Sequence, residues 1–240
     1  ASEPAVSIIN PSMEGYAMVD TGAGPDVVIG WADDPHVYAD KVVELSDVAE
    51  YLGKKYGGWV PVAEAYEDVR QLWSGTHVGY TPTLIVSYGG IMGENYWYDK
   101  TNVWEDERLL AFVPRRLVDE RSRRRVKAPD EEYGHVSIAR VAKVLQDRGV
   151  SVQLGAHGQR EGLGAHWELW MFQQGGMTPL QALRAGTLAG ARYLGLDQDL
   201  GSLEPGKRAD VVIWSANPFS VYARADQVFI DGALAFARAL

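Results

Sequence analysis

Hydrophobic residues recur along this chain with two different periods, and the change between them divides it. From Pro61 to Trp73 the apolar positions Val62, Ala65, Tyr66, Val69 and Trp73 return every three or four residues, which predicts an amphipathic helix. The same spacing carries Ile138, Val141, Ala142 and Leu145 from His135 to Arg148, and Gly149 marks the end of that helix. Two short runs have no polar face: Thr83–Ser87 (TLIVS) and Val150–Leu154. Continuous apolar runs of this length are how strands covered on both faces read. The order strand, crossover, helix, strand predicts a βαβ unit with parallel strands.

Weaker patterns complete the outline. Asp40–Leu52, Glu105–Phe112 and Ala165–Gln173 read as helices, and Val6–Asn10 and Val27–Trp31 as short strands bounded by turns. Thr178-Pro179-Leu180-Gln181 is a helix start with a mechanism. Thr178 caps, Pro179 takes the first helical position, and Gln181 reaches back to the cap. This helix is predicted to run to about Tyr193, with Gly195 behind it. Beyond Leu200 the texture turns to strands, Asp210–Trp214 and Gln227–Ile230, with Asp231-Gly232 as a hairpin turn.

Charge and composition narrow the chemistry. The net charge of −9 argues against nucleic acid as a partner, because phosphate binding needs a basic surface. The basic run Arg121 to Lys127 has natural partners in Glu105–Glu107 and Asp130–Glu132, and reads as a solvated face or a docking surface. There is no cysteine, so any metal must be held by His, Asp or Glu. No apolar run approaches the roughly 20 residues of a membrane span. The chain starts at Ala1 without an initiator Met or a signal peptide. That fits a mature secreted or periplasmic protein, a processed form or a trimmed one.

The residues with the most specific pattern lie late in the chain. Gly176 to Trp214 (GMTPLQALRAGTLAGARYLGLDQDLGSLEPGKRADVVIW) resembles the C-terminal signature of the amidohydrolase superfamily of metal-dependent hydrolases. YTPTLIVSYGG (Tyr80–Gly90), GENYWY (Gly93–Tyr98) and LGAHGQREGLGAHWELWM (Leu154–Met171) narrow the likeness to the C-terminal part of amidohydrolases associated with TolB-like or tricorn-like propellers. The resemblance implies an α/β fold: a partial (β/α) barrel, the closing strands and helices of a TIM-like barrel, plus small β-sandwich elements. It places the barrel part at 60–199 and sandwich return strands at 200–240. Residues 1–59 are left to short sandwich strands and a helix.

On this resemblance Thr83–Ser87 is the seventh barrel strand and Val150–Leu154 the eighth. Active sites of such barrels lie at the C-terminal ends of strands, which puts Tyr88–Glu94 and His157–His166 at the mouth. Relatives carry a metal-binding Asp after the eighth strand, and His157 stands at about that position. His157 is therefore the expected metal ligand and a catalytic candidate with Glu161 and His166. Other roles stay open: a hydrogen bond to loop backbone for His157, plain exposure for Glu161, a supporting or capping role for His166. Tyr88, Glu94, Tyr96 and Trp97 are expected to line a substrate pocket, or else to pack a long loop.

The resemblance implies a divalent metal such as zinc, metal-activated water and a small amide or peptide substrate. The chain departs from the pattern in two respects. The superfamily's opening His-x-His pair is missing, and about 60 residues precede the matched part, where a full barrel takes roughly 250 residues. The expectation is a C–N hydrolase incomplete in this chain alone, completed by another chain or a missing segment. The rival is a non-catalytic structural or interaction module that has lost its metal site.

Overall fold

A computed structural model describes residues 47, 50–51, 54–55, 67–87, 91–122, 127–160, 162–220 and 222–239. The chain forms two units, one of residues 1–63 with 88–134, the other of residues 64–87 with 135–240. The predicted elements before residue 47 and the predicted helix start at Pro61 lie outside the described residues.

In the first unit, α2 (Gly93–Lys100) follows an isolated parallel bridge between Ile91 and Tyr133. The Ile91 N–H donates to the Glu132 carbonyl at 2.9 Å, and the Gly134 N–H donates to the Ile91 carbonyl at 2.9 Å. Ile91 and Tyr133 form a small core with Tyr96 and Ala128. Helix α3 (Glu107–Phe112) starts two residues later than predicted, because the Asp106 carboxylate accepts from the Leu109 N–H at 2.8 Å and caps it there. Helix α4 (Arg115–Ser122) follows.

The second unit is built around α5 (His135–Asp147) and α6 (Leu163–Gln174), with α1 (Glu67–Ser74) beside the end of α5. Helix α5 buries the predicted stripe Ile138, Val141, Ala142 and Leu145. It ends as a Schellman turn. Gly149 takes φ +90°, its N–H donates to the Gln146 carbonyl at 3.0 Å, and the Val150 N–H donates to the Leu145 carbonyl at 3.0 Å. Val141, Leu145 and Val150 then share one core cluster with Trp73 and Tyr80. Arg148 holds α1 by a bidentate pair to Glu67, at 2.8 and 3.1 Å.

The parallel strand pair predicted for Thr83–Ser87 and Val150–Leu154 does not form, and a single isolated bridge just before Thr83 stands in its place. The bridging residue is Tyr80, paired in parallel with Val152. Its N–H donates to the Ser151 carbonyl at 2.8 Å, and its carbonyl accepts from the Gln153 N–H at 2.9 Å. In a parallel ladder the next bond would come from residue 82, and Pro82 has no N–H to give. Thr83 then turns at φ +49°, and TLIVS forms a 3₁₀ turn, Leu84–Val86, instead of a strand. Leu84 and Ile85 are fully buried all the same. An apolar run of this length does not distinguish a strand from a buried helical turn. Among the described residues no longer ladder of parallel strands forms.

The capping box at Thr178 forms as predicted, and opens α7 (Pro179–Ala185). The helix does not reach Tyr193 without a break. Gly186 ends it, and α8 (Leu188–Tyr193) begins after Thr187. A Cβ at Gly186 would stand 3.0 Å from Leu169 Cδ2, and the Ala185 carbonyl accepts from the Leu154 N–H at 3.2 Å. The break thus lets α7 pack closely on α6 while its last turn reaches the segment after α5.

The tail forms a three-stranded antiparallel sheet, β1 (Val211–Trp214), β2 (Ala225–Ile230) and β3 (Ala233–Ala237), in that order. β1 and β2 pair as predicted. Asp231 and Gly232 both take positive φ, 51° and 78°, which two-residue hairpin turns demand. β3 was not anticipated. Among the described residues no helix is long and apolar enough to cross a membrane.

The closest helix contact yields a stability prediction. A Cβ at Gly175 would stand 2.4 Å from both the carbonyl carbon and the Cβ of Ala139. Gly175→Ala should therefore cost about 1–3 kcal/mol through overpacking. Gly190 lies inside α8 with no atom within 4 Å of its missing Cβ. Gly190→Ala should be neutral or stabilising by up to about 1 kcal/mol. Urea midpoints of the two variants check both signs.

Candidate functional site

The loop from Gly155 to Gly162 leads from the Tyr80-bridged segment into α6, and several left-handed residues shape it. His157, Gly158, Arg160 and Gly162 have φ of 56°, 71°, 52° and 82°. Two of these are not glycine, so the loop holds backbone conformations that cost of order 1–3 kcal/mol each. The Gln159 N–H closes one turn on the Ala156 carbonyl at 3.0 Å, and the Leu163 N–H closes the next on Arg160 at 2.8 Å. Packing holds the rest. A Cβ on Gly164 would stand 2.0 Å from the Gln159 carbonyl oxygen, and one on Gly155 2.3 Å from Thr81 Cγ2. Both glycines are required by close approach.

Beneath the loop lies the carboxyl group of Glu168. Its residue is fully buried, one helical turn after Gly164. Oε1 accepts from the Gly155 N–H at 3.2 Å. Burial pushes its pKa up to about 7, against the lowering effect of the Gly155, Leu84 and Ile85 backbone N–H groups. Glu168 thus joins three segments: α6, the end of the bridged segment, and the 3₁₀ turn after Thr83. It acts as a positioning group, since no part of it reaches solvent.

His166, predicted as a catalytic residue, is half-buried. Its Nε2–H donates to the Pro218 carbonyl at 3.2 Å, which makes Nδ1 the lone-pair nitrogen of a neutral ring. Burial lowers its pKa, opposed by that hydrogen bond. The ring packs edge-on to Trp170 at 4.7 Å and lies 5.5 Å from the Trp214 ring. Trp170 Nε1–H also donates to Pro218, at 3.4 Å. This arrangement anchors β1 and the loop after it on α6. His157 is exposed on the left-handed turn. Glu161 lies outside the described residues, as does Tyr88.

The remaining predicted pocket residues belong to the first unit. Glu94 and Trp97 are buried and Tyr96 is half-buried. The Tyr98 hydroxyl donates to Glu94 Oε1. Tyr96 packs edge-on against both Trp97 and Tyr133, with ring centroids 5.2 Å apart in each case. These contacts describe a core.

The donor set does not fit the metal that the sequence led us to expect at His157. Among the described residues no group of three or more His, Asp or Glu side chains could hold an ion, and a hydrolytic zinc needs about three protein ligands. Two residues that matter here were not singled out from the sequence, Glu168 and Arg160. Arg160 is buried at φ +52°, and nothing in the sequence marks it. Glu168 did leave a signal. It is the lone carboxylate in the mostly apolar LGAHWELWMF, in register with Gly164 and Phe172.

Comparison with known proteins adds the following. The amidohydrolase family model matches residues 96–235, more than half of the chain. A putative N-acetylgalactosamine-6-phosphate deacetylase from Escherichia coli (strain K12) is 42% identical over 65 residues, 27% of this chain and 36% of that protein. A 5-methylthioadenosine/S-adenosylhomocysteine deaminase from Desulforudis audaxviator is 53% identical over 47 residues, 18% of this chain and 11% of that protein. A solved amidohydrolase structure aligns with a TM-score of 0.46 at 17% identity, over 73% of this chain and 38% of that one. The match to the deacetylase spans little more than a third of that relative's length, and the match to the deaminase far less.

Glu168 yields a prediction with a definite sign. Its folded pKa lies above the ordinary value of 4.5, so the folded state holds the extra proton between pH 4.5 and about 7. The stability this contributes is present below pH 4.5, declines as pH rises to about 7, and is flat above. The change is about 3 kcal/mol at most. Glu168→Gln keeps a neutral, isosteric group. Urea denaturation from pH 4.5 to 8 should show wild type losing stability relative to this variant. A pH-independent difference would mean that the carboxyl is not perturbed.

Proposed function

The chain belongs to the amidohydrolase family, and on that premise we propose that it supplies the C-terminal part of a hydrolase for amide-type C–N bonds. The family match over residues 96–235 carries this reading. The names of two relatives, a deacetylase and a deaminase, support the bond class. The substrate is a small amide or peptide. Water adds its oxygen to the carbon, the C–N bond breaks, and the nitrogen leaves with a proton. His157 is the group that moves this proton, because an imidazole both accepts and donates one. Its exposure at the end of the bridged segment supports that role, since the loops after such segments are where (β/α) barrels keep their chemistry. Glu168 and the left-handed turns hold the loop for it.

A divalent metal such as zinc would activate the water in this family's chemistry. Among the described residues no site for it forms, and we propose that its ligands come from a second chain that completes the barrel. The isolated chain is then not a competent hydrolase. A second reading, a non-catalytic module derived from an amidohydrolase, is favoured by the same observation.

Zinc, cobalt and manganese titrated into the isolated chain should bind weakly, with no hydrolysis of dipeptides or N-acetylated sugars. Tight stoichiometric binding with turnover, falling about 100-fold or more in His157→Ala, would refute the incompleteness. Supplying the completing chain should bring turnover that the same substitution removes. A stable complex without turnover would leave the non-catalytic reading.

A further inference from the structure

The second unit contains a cavity of about 560 Å³ at the start of the bridged segment. It is separate from the loop that carries His157. Val152 lines it, and Gly155 lies three residues further on, about 10 Å along an extended backbone. Two features of the chain create the space. The turn at Gly149 leaves no atom within 4 Å of the position a Cβ would take, and the break at Gly186 sets α8 apart from α7. The volume is that of a small-molecule site.

The lining is cationic. Arg184 and Arg192, in the last turns of α7 and α8, both face this cavity, and no carboxylate is among the lining residues. Each guanidinium carries a full charge, against roughly half a negative charge at a helix C-terminus. Arg192 has Asp197 at 3.6 Å. The Arg184 side chain makes no hydrogen bond or ion pair with any described residue. The other wall is a stretch of backbone. Tyr80 engages Ser151 and Gln153, so the N–H and carbonyl of Val152 point to the opposite edge, where no described backbone group meets them.

We propose that this cavity binds a small organic anion. Its carboxylate or phosphate would pair with Arg184 and Arg192. Charge-assisted bonds to guanidinium are the strong ones, so Arg184 supplies most of the affinity. This site is independent of the hydrolytic reading, because nothing in it rests on the loop of His157.

The test is calorimetric titration of the whole chain at low ionic strength with inorganic phosphate, acetate and N-acetylglycine, which adds an amide N–H to a carboxylate. We expect saturable 1:1 binding of phosphate or of N-acetylglycine, and the stronger one identifies the anion. Affinity should fall about tenfold or more in Arg184→Ala and also with added salt. Arg184 is exposed, so its variants should keep the thermal unfolding curve of the wild type. No saturable binding at millimolar concentration, or binding unchanged in Arg184→Glu, would overturn the proposal.

Discussion

The second unit depends on one buried carboxyl group. Glu168 sits within α6, where Oε1 accepts from the Gly155 N–H at 3.2 Å and Oε2 is buried without a partner among the described residues. A carboxyl placed in an apolar interior is costly unless it is hydrogen-bonded or neutral, and here it is both bonded and pushed towards neutrality. That constraint sets the path of the chain on either side. The segment after α5 must end where Gly155 can reach Oε1, and the chain after Thr83 brings the Leu84 and Ile85 amides near the carboxyl. The 3₁₀ turn where a strand was expected follows from Pro82, which ends the parallel ladder after a single bridge.

The loop above Glu168 shows how a rigid floor permits a strained surface. His157 and Arg160 adopt left-handed backbone without being glycine. Such residues persist only where their surroundings over-determine them, and the near-contacts at Gly155 and Gly164 do so. His166 belongs to a different connection. With Trp170 it holds the Pro218 carbonyl and ties the antiparallel sheet to α6. Two histidines nine residues apart therefore have opposite roles, one exposed on the turn and the other enclosed as a neutral ring.

The bridged segment has two ends with different chemistry. At Gly155 it meets the carboxyl of Glu168 and the loop of His157. At Val150–Val152 it borders a cavity with two arginines. Both depend on the same backbone, because Tyr80 uses one edge of the segment and leaves the other open. The helix break at Gly186 serves both as well. It brings the Ala185 carbonyl to Leu154 and sets α8 apart to form the far wall.

Local rules by themselves determined much of this protein. The stripe of α5, its stop at Gly149, the capping box at Thr178 and the hairpin at Asp231-Gly232 each depend on residues within a turn or two of one another, and each was legible from spacing and residue type. The family was legible from the run Gly176 to Trp214. Tertiary structure decided what depends on distant partners. TLIVS is equally apolar as a strand or a buried turn, and the missing N–H of Pro82 with the left-handed turn at Thr83 decides for the turn. Glu94, Tyr96 and Trp97 read as pocket or core with equal ease, and only the folded chain brings Tyr96 edge-on to both Trp97 and Tyr133. A histidine's type says that it can move a proton or bind a metal. Whether it does depends on burial and partners, and these gave His166 to a carbonyl 52 residues away and left His157 exposed on its turn.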